Sequence, residues 1–177
     1  MGLFGKLFSK KAKEETEYKK NDRISFDSPF CSFVYIAEAA EQGYEGEIDD
    51  WYTDGRDFEK NICVYFYADT PECPEFSSGY KELVKLISDR ERTDHEIKKI
   101  VVDHFLFKTD FIKEGTTEEE LMTGIRIIGI YVYKEEIQIS LDCGKIYSSE
   151  MDLVFKLDGS KEIRYVDYDN EKYCDKL

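Results

Sequence analysis

The chain has 177 residues, with 25 Lys and Arg against 39 Asp and Glu, a formal charge of −14. Hydrophobic residues make up 41%, aromatics 15%, and there are only 3 prolines, which excludes a disordered or fibrous chain and predicts one domain with a real core. No apolar run approaches the ~20 residues of a membrane-spanning helix, and the acidic balance argues against nucleic acid as a ligand, because phosphate binding needs a basic surface.

At the N-terminus, Leu3, Phe4, Leu7 and Phe8 share one side of a short helical segment, with Lys6, Lys10, Lys11 and Lys13 opposite or following. The charges come after the apolar part, the reverse of a secretory signal, and Lys6 stands where the myristoylation pattern needs Ser or Thr. Two readings remain: a docking helix too short for stable membrane insertion, or a flexible tail. Residues 1–20 hold six Lys and three Glu, so the charge changes sign near position 20. The expected organisation is a Lys-rich amphipathic tail over 1–20 and a single domain over 21–177.

Arg23 to Phe26 and Cys31 to Ala37 read as short strands split by Ser28-Pro29. Glu38 to Ala40 fits a brief helical turn, and an extended segment runs from Tyr44 to Tyr52 before a tight turn at Thr53-Asp54-Gly55-Arg56. Asn61 to Ala68 is apolar on both faces, which places it in the middle of the sheet, and Cys63 within it reads as a small packed hydrophobe. Pro71 and Pro74 make a connector.

Tyr80, Leu83, Val84 and Ile87 recur at helical spacing, with Ser77 or Ser78 as cap. Thr93 and Glu96 form a capping-box pattern for a second helix, whose apolar positions are Ile97, Ile100, Val101, His104 and Phe105. Thr116 or Thr117 caps a third, short helix that starts with three glutamates. Ile125 to Tyr133 is a strand with a bulge at Gly129, joined through Lys134-Glu135 to the alternating strand Glu136 to Asp142. Met151, Leu153, Phe155 and Leu157 give a third strand of this part, and Ile163 with Tyr165, extending toward Tyr168, a fourth. The predicted fold is α+β: an antiparallel sheet of N-terminal strands and a C-terminal meander, covered on one face by two or three helices.

The five cysteines form no C-x-x-C pair, and neither His95 nor His104 stands at metal-ligand spacing from one. Reduced thiols and a cytoplasmic setting follow, with no cofactor expected and no metal ligands nominated. Asp50-x-x-x-Asp54-Gly55-x-Asp57 and Asp167-x-Asp169-x-Glu171 do not match the twelve-residue calcium loop. Phosphate-binding loops and hydrolase motifs are absent, so no catalytic residue is nominated.

The informative stretch lies between Glu38 and Glu59, where nine acids accompany one base, Arg56. Such crowding repels itself and is relieved by a cationic partner. Aromatic side chains interleave with the acids and supply rigid contact area. The candidate binding residues are Tyr44, Glu47, Asp49, Asp50, Trp51, Tyr52, Asp54, Asp57 and Phe58. The alternative is a solvated strand-turn-strand whose aromatics face the core.

Four segments carry a family resemblance: Tyr44-Glu45-Gly46-Glu47-Ile48, the helices leading into Thr116-Thr117-Glu118-Glu119-Glu120-Leu121, the strand Ile127 to Tyr133, and Leu141-Asp142-Cys143-Gly144-Lys145-Ile146-Tyr147 before a last hydrophobic strand. Over residues 31–168 the chain resembles the bacterial domain of unknown function 2262 family. Members commonly carry Trp-Gly-His where this chain has Ser148-Ser149-Glu150. The resemblance implies an α+β fold and no established reaction, and some relatives look like immunity proteins encoded near secreted toxins. The functional expectation is therefore a binding protein that neutralises a basic partner, such as a toxin, through an acidic-aromatic surface. The alternatives are a docking module recruited by its tail, or an enzyme with a site assembled around Cys143, Glu150 and a histidine.

Overall fold

The computed structural model describes residues 25–36, 42–53, 60–67, 78–105, 112, 115–143, 150–166 and 172–177. In chain order its elements are β1 (Ser25–Asp27), β2 (Ser32–Ile36), β3 (Gly43–Ile48), β4 (Ile62–Tyr67), α1 (Ser78–Ile87), α2 (Arg90–Phe105), α3 (Glu118–Gly124), β5 (Arg126–Val132), β6 (Glu136–Asp142), β7 (Glu150–Lys156), β8 (Lys161–Val166) and β9 (Lys172–Lys176). The tail, the helical turn at 38–40, the turn at 54–56, the proline connector and Tyr168 lie outside the described residues.

The nine strands form one sheet whose spatial order follows the chain. All neighbouring pairs are antiparallel except β4 and β5, which run parallel from Cys63↔Gly129 to Phe66↔Val132. A parallel pair needs a long crossover, and the helices occupy the stretch of chain between these two strands. The α+β architecture read from the sequence is present, with this one parallel seam at its centre.

Period-two alternation decides which side of each strand is buried. Ile62, Val64 and Phe66 of β4, Ile130 and Val132 of β5, and Ile137, Ile139 and Leu141 of β6 face the helices as one apolar layer. The helices answer with Leu83 and Ile87, with Ile97, Val101, Val102 and Phe105, and with Leu121. Ring contacts close the layer: Tyr80 meets Phe66 at 5.9 Å, and Phe105 meets Tyr165 edge-on at 5.3 Å. Gly46 belongs to this side of β3 because Phe33 lies across it. A Cβ there would stand 2.7 Å from the Phe33 ring and 2.9 Å from Cys31 Sγ.

Local signals place most boundaries. Thr117 caps α3 in a reciprocal box: its hydroxyl accepts from Glu120 N at 3.2 Å, and the Glu120 carboxylate accepts from Thr117 N at 2.9 Å. The β5 bulge falls where Gly129 suggests, between Ile127↔Leu141 and Gly129↔Ser140, and leaves Ile128 43% exposed. Two features differ from expectation. First, α2 starts at Arg90, and Asp89 caps it by accepting from Arg92 N at 3.2 Å. Thr93 instead donates its hydroxyl to the Leu86 carbonyl at the end of α1, because only Ser88 and Asp89 separate the two helices. Second, β9 has no apolar alternation and is mostly exposed. It is a strand because β8 offers it a backbone ladder from Glu162↔Lys176 to Val166↔Lys172.

Candidate functional site

Five of the nine nominated binding residues lie on β3 and the turn after it, and Tyr52 follows directly; Asp54, Asp57 and Phe58 fall outside the described residues. The structure divides the six described ones by chemistry. Tyr44 is 1% exposed, packed edge-on against Tyr35 at 5.1 Å, while Trp51 is 8% and Tyr52 9% exposed. These three rings belong to the core, which corrects the expected surface at Tyr44, Trp51 and Tyr52. The reason is register: Tyr44 pairs with Phe66 on the helix side of the sheet, so its ring is drawn into the apolar layer.

Tyr52 works as a junction. Its hydroxyl donates to Asp94 Oδ1 at 2.8 Å on α2 and accepts from Ile127 N at 2.8 Å on β5. Lys98 and Arg126 lie over its ring, 5.2 and 4.7 Å from the centroid. Burial, with Asp94 adding to it, raises the phenol well above its ordinary range.

The carboxylates behave as the composition suggests. Glu45 and Glu47 point to the face opposite the helices, and with Asp49 and Asp50 they are exposed. Asn61 organises them: its amide nitrogen donates to Glu47 Oε1 at 3.0 Å and Asp49 Oδ1 at 3.1 Å, while its oxygen accepts from Asp50 N at 3.0 Å. Asp50 takes a left-handed backbone, φ 52°, which Asp tolerates better than most residues. Arg90 donates to the Asp49 carbonyl at 3.1 Å rather than to a carboxylate. Among the described residues none of these four acids forms an ion pair, whereas Glu96, Asp103, Glu118 and Glu136 each hold a lysine or arginine.

The aromatics beside this cluster are ones the sequence reading passed over. Tyr65 pairs with Glu45, and Tyr67 packs on Tyr65 at 4.7 Å and stacks on Tyr133 at 4.2 Å. Tyr65, Tyr67, Tyr131 and Tyr133 are half-buried on or beside the face opposite the described helices. The signal was available: in Asn61 to Ala68 the apolar set is Ile62, Val64 and Phe66, and the alternate set is Cys63, Tyr65 and Tyr67. Cys63 accordingly is exposed, not packed as a hydrophobe, and its Sγ donates to Glu45 Oε1 at 3.6 Å. Burial first, and then the charges of Glu45 and Glu47, push its thiol up to about 11.

Further along the same face, β6, β7 and β8 carry a charge-paired patch. Arg164 holds Glu136 in a fork, with Nη1 to Oε1 at 2.7 Å and Nη2 to Oε2 at 2.9 Å, and Lys156 adds a bond to Glu136 Oε2 at 2.6 Å. The Arg164 bonds hold the Glu136 carboxyl below its usual range.

On the other side of the molecule, an open groove of about 610 Å³ is lined by Ile100, Asp103, His104, Ser160 and Lys161 among others. His104 Nε2 lies 2.9 Å from Asp175 Oδ2, which also accepts from the Tyr165 hydroxyl at 3.1 Å. His104, one of the apolar-face positions of its helix, is half-buried against this carboxylate. Cys143, nominated for an assembled catalytic site, is fully buried with its thiol directed at Met151 Sδ, and burial pushes it up to about 12. Such a sulfur is not a thiolate at neutral pH. Among the described residues no three His, Cys, Asp or Glu side chains converge as metal ligands, and no helix is long and apolar enough to cross a membrane.

The arrangement defines an α+β sheet domain with one helix-covered face and one polar, aromatic-centred face. Compared with protein-family models, with curated proteins and with solved structures, the chain matches none.

Proposed function

We propose that this chain is a binding protein that holds a basic partner on the face of its sheet opposite the described helices, at Glu45, Glu47, Asp49 and Asp50 beside Tyr65 and Tyr67. The observation that carries the proposal is a run of four exposed acids on β3 and its turn, with Glu47 and Asp49 gathered on the Asn61 amide and no lysine or arginine paired with any of the four among the described residues. Holding like charges this close raises the free energy of the free protein, and a cationic surface relieves it on docking. The tyrosines supply contact area of the kind that dominates binding energy, and their faces attract ammonium and guanidinium groups. Neutralisation of a basic toxin is the form of this function that the family resemblance implies.

The test compares two variants with equal charge change. One carries Glu45→Gln, Glu47→Gln and Asp49→Asn; the other carries Glu91→Gln, Glu119→Gln and Glu135→Gln, exposed acids outside the cluster. Binding of a fluorescent decalysine peptide is measured by anisotropy at low salt. Three exposed pairs at about 0.3–0.5 kcal/mol each predict about a five- to tenfold loss for the first variant. Equal losses in both variants would reject the site.

A further inference from the structure

The groove beside His104 lies on the helix side of the sheet, apart from the partner surface proposed above and independent of it. It forms where the C-terminal half of α2 passes a row made by Phe155 of β7, Lys161 of β8 and Leu177 just beyond β9. Phe155 and Lys161 are cross-strand partners, and Leu177 N donates to the Lys161 carbonyl at 3.0 Å. Alternation assigns position 161 to the buried side of β8, in line with Ile163 and Tyr165, which are 0% and 7% exposed. A lysine breaks that pattern.

Lys161 is half-buried, and its ammonium stands 5.4 Å from the centre of the Phe155 ring. Among the described residues it holds no carboxylate. Lys156, on the opposite side of β7, holds two, Glu136 and Glu162. The acids around the groove are already engaged. Asp103 is paired with Lys99, Asp175 is bonded to His104 and Tyr165, and Asp158 in the β7–β8 turn accepts from Ser160. A half-buried cation without a counter-ion raises the free energy of the empty groove, and an anion entering it lowers that free energy. Apolar surface lies beside the charge: Ile100 packs at the edge of the core, and Leu177 is 49% exposed.

We propose that this groove binds a small carboxylate with an apolar body, the carboxylate on the Lys161 ammonium and the apolar part against Ile100 and Leu177. One ammonium, with no arginine fork among the described lining residues, balances one negative charge and so favours a carboxylate over a phosphate dianion. The volume, about 610 Å³, falls within the ~300–1,000 Å³ of small-molecule sites. Because the groove is open, the expected affinity is on the order of millimolar.

Amide proton–nitrogen correlation spectra of the full chain, titrated with hexanoate at fixed pH and ionic strength, test this assignment. Saturable shifts are expected at Ile100, His104, Ser160 and Lys161. Hexanamide lacks the charge and acetate lacks the apolar body, and each is expected to bind about tenfold more weakly. Lys161→Met keeps the length of the side chain and removes its charge; with the rest of its spectrum native, it is expected to lose about tenfold in hexanoate affinity. Lys161→Arg keeps the charge and is expected to stay within about threefold of the native protein, as is Lys134→Met, an exposed lysine on the β5–β6 turn. Shifts that do not saturate or that centre elsewhere, hexanamide or acetate binding as well as hexanoate, or native affinity in Lys161→Met would each overturn the assignment.

Discussion

Replacing Tyr52 by phenylalanine deletes one oxygen from the point where the β3–β4 connection, α2 and β5 meet. Two hydrogen bonds are lost, to Asp94 Oδ1 and from Ile127 N, each 2.8 Å in the native protein. The partners differ in what they lose. Asp94 keeps Lys98 at 2.7 Å and reaches solvent, so its loss is small. Ile127 is 2% exposed, and its N–H then faces a ring edge with no acceptor. An unsatisfied buried donor costs about 1–3 kcal/mol, which predicts about 2 kcal/mol in total for Tyr52→Phe. In a chain of this size that corresponds to a fall of about 4–8 °C in Tm, readable by calorimetry and by urea titration at unchanged m-value.

The same variant has a signature in pH. Burial raises the Tyr52 phenol above its ordinary value of 10, so above pH 10 the unfolded tyrosine releases a proton that the folded one keeps. The unfolded state then binds fewer protons, and the stability that Tyr52 confers, fully present below pH 10, is lost as pH rises. The gap between native and Tyr52→Phe proteins is expected to narrow by up to about 1.4 kcal/mol per pH unit above that point, the other tyrosines cancelling in the difference. A stability loss below about 0.5 kcal/mol at neutral pH, or a gap that widens in alkali, would refute the junction.

Two further substitutions probe the sheet. Gly46→Ala places a methyl group 2.7 Å from the buried Phe33 ring and 2.9 Å from Cys31 Sγ, and is expected to cost about 1–3 kcal/mol by urea unfolding. Glu136→Gln removes a carboxylate that the Arg164 fork holds below its usual range. The stability it confers is present above the unfolded glutamate value of about 4.3 and is lost as pH falls through the folded one. Because the pair is partly exposed, the expected difference is about 1 kcal/mol at pH 7, vanishing in the most acid urea titrations; a difference that persists there would contradict the assignment.

What could be read along the chain was whatever one segment's own residues decide. Alternation in Glu136 to Asp142, helical spacing from Tyr80 to Ile87, a threonine cap at 116 or 117 and the Gly129 bulge all rest on neighbours within a few positions, and each stands where it was expected, whereas the strand from Met151 ends at Lys156, before Leu157, and buries Val154 as well as Leu153. The Asp89 cap was legible in principle, since Asp three residues before Arg92 is an N-terminal signal, but Thr93–Glu96 offered a competing one. The carboxylates of the candidate site were legible too, because a dense run of acids has nowhere to go but the surface.

The orientation of rings and the company that distant strands keep were not legible. Tyr44, Trp51 and Tyr52 share a segment with Glu47 and Asp49, and only pairing with β4 and the approach of α2 draw those rings inward. Tyr67 meets Tyr133 across 66 positions of chain, and Arg164 meets Glu136 across 28, because β4 lies parallel to β5 and β6 and β8 flank β7. The chain by itself determined the element types, the turns, the capping and the excess of negative charge, since these follow from dihedral preference, periodicity and composition. Only the tertiary structure decided which face each aromatic serves, because burial depends on the neighbour that arrives across the sheet and not on the residue that waits for it.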